Sequence, residues 1–262
     1  MIETGLGISS IAVPAILLTA LILAETIWPR RELVLGRYPR WLTHALFFLT
    51  NAVVGRLLAL IVVVATAANW AAQNSFGLLN QTGWPWWLET ALAFTILDFA
   101  VWLQHVAMHK IPFLWRLHAV HHSDRDLDAT TALRFHPFEL IVSTLYKSAW
   151  VALLGVPVLV ALAFELWLNA NALFNHSNIK LPAHADRWLR RLLVTPDMHL
   201  VHHSTVADDQ RHNYGFALTI WDRIFGTYAA HQSEQPIGLA NAQDGHPGHA
   251  GWSMLLPFRK FN

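Results

Sequence analysis

The chain has 262 residues, room for one domain, with 54% apolar residues, only 13% charged residues and a formal net charge of +1. So low a charged fraction points to lipid surroundings, and so small a net charge argues against nucleic acid as a partner. Cysteine is absent, which removes disulfides, zinc-thiolate sites and thiol nucleophiles together, so any metal must be held by imidazole and carboxylate; the chain has 16 histidines.

In chain order, the first apolar run is Ile8 to Trp28, interrupted only by Pro14, small polar residues and Glu25. No basic residue precedes it and no small-residue cleavage site follows, so it reads as an anchor helix rather than a signal peptide. The second run, Trp41 to Ala72, is longer than one span needs and contains Arg56. The third begins at Trp84-Pro85-Trp86 and carries Ala91 to Leu103. Phe138 to Phe174 is almost wholly apolar, with Gly155-Val156-Pro157 at its centre, which predicts a hairpin of two helices, spanning or re-entrant. Lys147 and Glu165 sit awkwardly inside it. The stretch from Gln232 to Gly251, rich in Gly, Pro and His, reads as a loose loop.

Basic residues set the expected orientation. Arg30, Arg31, Arg37 and Arg40 lie between the first two runs, and Lys110, Arg116, Arg125 and Arg134 follow the third; residues 71 to 83 have none. The basic side is therefore expected to be cytoplasmic, with the N-terminus outside. A hairpin returns the chain to the side it left, so histidines before and after it share the cytoplasmic face.

Three motifs carry the chemistry: His105-Val-Ala-Met-His109, His118-Ala-Val-His121-His122 and His199-Leu-Val-His202-His203. Residues three and four apart lie on one helix face, so each motif presents a patch of imidazoles. Eight histidines in three patches are too many for one tetrahedral zinc. They suit two transition metals, whose identity the spacing leaves open, since imidazole serves iron, copper, zinc and nickel alike. Asp98, two helical turns before His105 on the same face, either accepts a ligand's second imidazole N–H or is a buried acid paired with an arginine such as Arg134. His44, His184, His231, His246 and His249 read as bystanders.

The order His-x3-His, His-x2-His-His, then a second His-x2-His-His after a hydrophobic hairpin resembles the fatty acid hydroxylase superfamily. That group includes sterol desaturases, the alkylglycerol monooxygenase type, and carotenoid and fatty-acid hydroxylases. Thr131-Ala-Leu-Arg134, His136-Pro137, Asn213-Tyr-Gly215 and Trp221-Asp-Arg-Ile-Phe-Gly-Thr227 extend the likeness over residues 90 to 230. The resemblance implies two Fe ions with O2 as co-substrate, inserting oxygen into, or desaturating, a lipid C–H bond. It also implies a ninth ligand at His176, where the family places one after the hairpin. The position four residues earlier, sometimes a second histidine, is Ala172 here; His136 and His212 are candidates to fill that gap.

The expected fold is all-α, a polytopic membrane helical protein with a cytoplasmic histidine-lined di-metal site. The expected division is residues 1–84 as N-terminal membrane helices, 85–230 as the catalytic domain and 231–262 as a tail. Expected partners are a lipid substrate, the membrane and an external electron donor (a cytochrome, ferredoxin or flavoprotein reductase). The donor is external because the chain has no Gly-rich dinucleotide fingerprint and no cysteine for an iron–sulfur cluster. Two other readings stay open. A membrane zinc-dependent hydrolase would use the same imidazoles, though no cluster encloses a Glu to act as base. A non-enzymatic metal-binding or transport protein would place its ligands at mid-membrane, whereas these fall at helix ends.

Overall fold

The computed structural model describes residues 2–59, 64–230 and 235–259, with side chains from residue 12 onward. Four helices lead: α1 (Ile2–Ile27), α2 (Arg37–Leu58), α3 (Val64–Gln73) and α4 (Trp86–Lys110). Then come α5 (Pro112–His122), α6 (Pro137–Leu154) and α7 (Val158–His176). Four short helices follow: α8 (Ala183–Leu189), α9 (Pro196–His202), α10 (Ile220–Ile224) and α11 (Ala250–Leu255). The described residues form no β-strand, only isolated antiparallel bridges.

Among the described residues, three helices, α2, α4 and α7, are long and apolar enough to cross a membrane. At about 1.5 Å per residue each reaches roughly the 30 Å of a hydrocarbon core. On α2 a stripe of Leu42, Leu46, Leu49, Val53 and Leu57 stays exposed, as a lipid-facing side requires. The run from Trp41 to Ala72 resolves into α2 and α3, with residues 60–63 outside the described ones.

The hairpin forms where Gly and Pro place it. Gly155 takes the left-handed conformation (φ 70°) that closes α6, and Pro157 starts α7. The loop after α3 packs on this turn so closely that a Cβ on Gly77 would lie 2.2 Å from the Gly155 nitrogen. Leu78 N–H also donates to the Leu153 carbonyl at 3.1 Å. The loop and the turn therefore lie together, at the ends of α6 and α7 away from His136 and His176. Between the helices, Lys147 Nζ meets Glu165 Oε2 at 2.8 Å, which accounts for both charges in an apolar hairpin. The core between α3, α4, α6 and α7 is built from Ala68, Leu97, Val101, Val151, Ala161 and Phe164.

The histidine end is tied by buried charge. Arg40, fully buried on α2, forks onto both oxygens of Asp124 (2.7 and 2.8 Å) and reaches Asp128 at 2.6 Å. Burial alone would push the Asp124 carboxyl up; the Arg40 guanidinium and His44 outweigh it and hold it well below the usual range. Arg134, also fully buried, binds the Val120 and Pro247 carbonyls and the Ser123 and Ser253 hydroxyls. Arg40 and Arg134 are thus internal struts, not the surface charges that the basic-loop count takes them for. Glu25 fixes α1 to the same end, its Oε2 accepting from Ala129 N–H (3.1 Å) and Asn178 N–H (3.0 Å).

The expected loose loop near the C-terminus is instead ordered packing over residues 235–251. Thr205 N–H donates to the Pro236 carbonyl, Gly238 N–H donates to the His203 carbonyl at 2.9 Å, and Ile237, Leu239 and Ala242 are buried. Apolar residues spaced among the Gly and Pro give this segment its own inward face. His231 lies outside the described residues.

Candidate metal centre

Four helices deliver the imidazoles. His105 and His109 end α4, α5 carries His118, His121 and His122, His176 ends α7, and α9 carries His199 and His202 with His203 just beyond it. They converge as two groups. One comprises His105, His109, His118, His122 and His202, the other His121, His176, His199 and His203; within each, one nitrogen per residue lies within 4.8 Å of all the others. The groups abut, with the His122 and His203 rings stacked at 4.3 Å.

The division follows helical geometry. In His-x-x-His-His, residues i and i+4 lean one way and i+3 the other. His118 and His122 accordingly join one group while His121 joins the second, and in α9 the assignment reverses, with His199 and His203 together and His202 opposite.

Backbone carbonyls decide the tautomers. His105 Nδ1 lies 2.7 Å from the Tyr214 carbonyl, His202 Nδ1 2.8 Å from the His212 carbonyl and His176 Nδ1 2.6 Å from the Ala172 carbonyl. A carbonyl only accepts, so each Nδ1 bears the proton, and a neutral ring then presents a lone pair at Nε2. His118 Nδ1 donates to Glu139 Oε1 at 2.7 Å, with the same result. Yet His105 Nε2 and His202 Nε2 stand 3.0 Å apart, and His105 Nε2 and His118 Nε2 also 3.0 Å apart. Lone pair faces lone pair, an arrangement that repels unless a cation lies among the nitrogens. Protonating the rings instead would put charge into a fully buried site. Burial, reinforced by the neighbouring imidazoles, holds His121, His122, His199 and His203 well below their ordinary pKa, and His202 falls to about 3. Neutral nitrogen donors, buried and convergent, fit two borderline transition-metal ions.

Asp98 behaves differently from either expectation. Its Oδ2 accepts from the Trp221 indole N–H at 2.8 Å, contacting neither a ligand imidazole nor Arg134 in the described hydrogen bonds. The motif's Asp222 does comparable work next door. This buried carboxylate accepts from Trp102 Nε1, the Tyr214 and Gly215 N–H groups and the Thr227 hydroxyl. It thereby aims the Tyr214 carbonyl at His105. Asn213 supports the same turn at φ 55°, bonding to Met198 and Ala229.

His136 and His212 do not fill the gap at Ala172. His136 caps α6, its Nδ1 accepting from Phe138 N–H at 3.2 Å, while His212 contributes only its carbonyl to His202. His44 lies outside both groups, bonded to Thr130 and Asp124; His184, His246 and His249 also lie outside them. Sequence reasoning missed Glu139. Its signal was an acid in the first turn of a helix facing the cluster, legible only once α6 is placed against α5.

A family model for fatty acid hydroxylase matches residues 90–227, which hold all nine histidines. The chain belongs to that family. Among relatives, human alkylglycerol monooxygenase is 28% identical over 216 residues, covering 79% of this chain and 45% of that protein. The ornithine lipid hydroxylase OlsE of Rhizobium tropici is 33% identical over 153 residues (55% and 43%). The Delta(7)-sterol-C5(6)-desaturase of Nicotiana tabacum is 32% identical over 162 residues (58% and 54%). The chain spans about half the length of the curated relatives it matches. No solved structure matches it.

Proposed function

We propose that the protein is an integral-membrane oxygenase. In this reading its two histidine groups hold two iron ions, and it uses O2 to hydroxylate or desaturate a C–H bond of a lipid. The observation that carries the reading is the contact of His105 and His202, whose Nε2 atoms meet at 3.0 Å while both Nδ1 atoms are committed to carbonyls. The relatives add the chemistry, since their names record lipid oxygenation and desaturation. Iron supplies the redox power to activate dioxygen that zinc lacks.

The residues of the chain do the remaining work. His105, His109, His118, His122 and His202 hold one metal, and His121, His176, His199 and His203 the other. Glu139 and the carbonyls of Tyr214, Ala172 and His212 fix ring orientation and keep each Nε2 unprotonated. Burial of the imidazoles excludes bulk water from the reacting atoms. Substrate would approach from the cavity of about 280 Å3 between α2, α4, α6 and α7, which His105 and His118 line. Electrons would come from a cytochrome, ferredoxin or flavoprotein reductase on the cytoplasmic side.

Elemental analysis of protein purified without added metal tests the reading, with close to two irons per chain expected. A single tightly held zinc would overturn it.

A further inference from the structure

The cavity beside His105 and His118 is unlike a slot for a plain hydrocarbon. Phe48, Leu140 and Leu168 supply apolar wall, but Asn51, Gln104, Glu139, Ser143, Lys147 and Asn169 also line it. Polar side chains at membrane depth cost several kcal/mol each unless something meets them. Most are met within the protein. Gln104 donates to Ser143 at 2.8 Å, Lys147 pairs with Glu165 at 2.8 Å, and Asn169 donates to the Glu165 carbonyl at 2.7 Å.

Among the described residues, two atoms are not met. Glu139 is only 4% exposed, and while its Oε1 receives the His118 N–H, its Oε2 is buried without a partner. Asn51 donates from Nδ2 to the Phe135 carbonyl at 2.8 Å, which fixes the amide's orientation, since a carbonyl cannot donate back. Its Oδ1 is left buried and unpartnered. Both leftovers are acceptors. They belong to residues of different helices, α2 and α6, that line the same cavity as His105 and His118.

The geometry points to a lipid whose donor-bearing polar head, a hydroxyl or a protonated amine, enters this cavity and donates to Glu139 Oε2 and Asn51 Oδ1. This deepens the oxygenase reading and rests on it for the chemistry. A carboxylate head would meet the Glu139 carboxylate, and the one lysine nearby is already paired. A plain acyl tail would leave both acceptors unsatisfied. The carbon that reacts therefore lies close to the polar head, within reach of His105 and His118, rather than far down an alkyl tail. Asn51 and Glu139 set specificity by hydrogen bonding, which rejects a ligand without donors more strongly than an apolar wall can.

Equilibrium binding to the full chain in detergent tests this without turnover. The probes are a 1-O-alkylglycerol (hydroxyl donors), an alkylamine (ammonium donor) and a fatty methyl ester of equal chain length (acceptors only). At least one donor-bearing probe is expected to bind about tenfold more tightly than the ester, and which one does so distinguishes hydroxyl from ammonium. Asn51→Leu should erase that preference. Asn51→Asp loses the same bond to Phe135 but keeps acceptor oxygens, and should retain it. Equal binding of all three probes, an unchanged preference in Asn51→Leu, or its loss in both variants would overturn the proposal. The oxygenase reading fails separately: a protein with two irons and no preference sinks only the head-group assignment. A protein that prefers donors but holds only a single zinc sinks only the oxygenase.

Discussion

At the scale of single residues, the decisive feature is which nitrogen of each imidazole carries the proton. Carbonyls of Tyr214, His212 and Ala172 and the carboxylate of Glu139 settle that for four rings, and none of these partners is visible as a motif. The same scale separates His176, expected as the ninth ligand, from His136, a candidate for the position left empty at Ala172. His176 Nε2 lies 2.9 Å from both His121 and His199, whereas His136 caps α6. His176→Ala should therefore lose about one iron per chain and abolish turnover while the protein still inserts. His136→Ala should keep both irons and lose roughly 1 kcal/mol of stability, the usual worth of an N-cap. Metal analysis beside thermal unfolding checks the pair. Iron lost equally from both variants would show that the groups are drawn wrongly.

At the scale of elements, helical periodicity made most of the site legible in advance. Eight histidines at i, i+3 and i+4 spacing could be nominated because the spacing itself puts them on a face, whereas His176 stands alone and was nominated only by the family resemblance; all nine fall in the two groups. The hairpin was legible from Gly155-Val156-Pro157 for an equally local reason, since only such residues end one helix and start another so abruptly. What stayed hidden depends on contacts between distant elements. Asp98 was assigned by its position on α4, but its partner Trp221 arrives from 123 residues away. Arg40 and Arg134 look like loop charges until Asp124 and the Val120 carbonyl come into reach. The tail was misread because composition says nothing of where Ile237 and Leu239 point. The hairpin turn offers a direct test. Gly155→Ala forces a Cβ into the left-handed region, about 1–2 kcal/mol by itself. It also sets that Cβ 2.9 Å from the Phe76 carbonyl and 2.6 Å from the Asn80 side chain. The variant should unfold several degrees lower in detergent, yet retain its irons at low temperature, because the turn is far along α6 and α7 from the histidines. Loss of metal without loss of thermal stability would contradict that separation.

At the scale of the whole molecule, the fold has two unlike ends, and a membrane between them explains both. One end gathers the loop after α3, the hairpin turn and a cluster of exposed tryptophans, Trp70, Trp84, Trp86 and Trp87, as an interfacial belt would. The other holds the histidines and, with Arg40 and Arg134 set aside as internal, still keeps Arg30, Arg31, Arg37, Arg116 and Arg125. The basic bias therefore survives the correction, and on it we propose a cytoplasmic histidine end. The chain's lack of cysteine makes the test clean, because a single introduced thiol is the only one present. Ala72 lies exposed at the end of α3, and Ala183 lies exposed at the start of α8 beyond the histidine end of α7. In cells, Ala72→Cys should react with a membrane-impermeant maleimide added outside, while Ala183→Cys should react only after permeabilisation. Reversed labelling would put the histidine end outside and require an electron donor there. Labelling of both from one side would mean that α4 and the α6–α7 hairpin do not separate the two ends, and the membrane arrangement would fail with it.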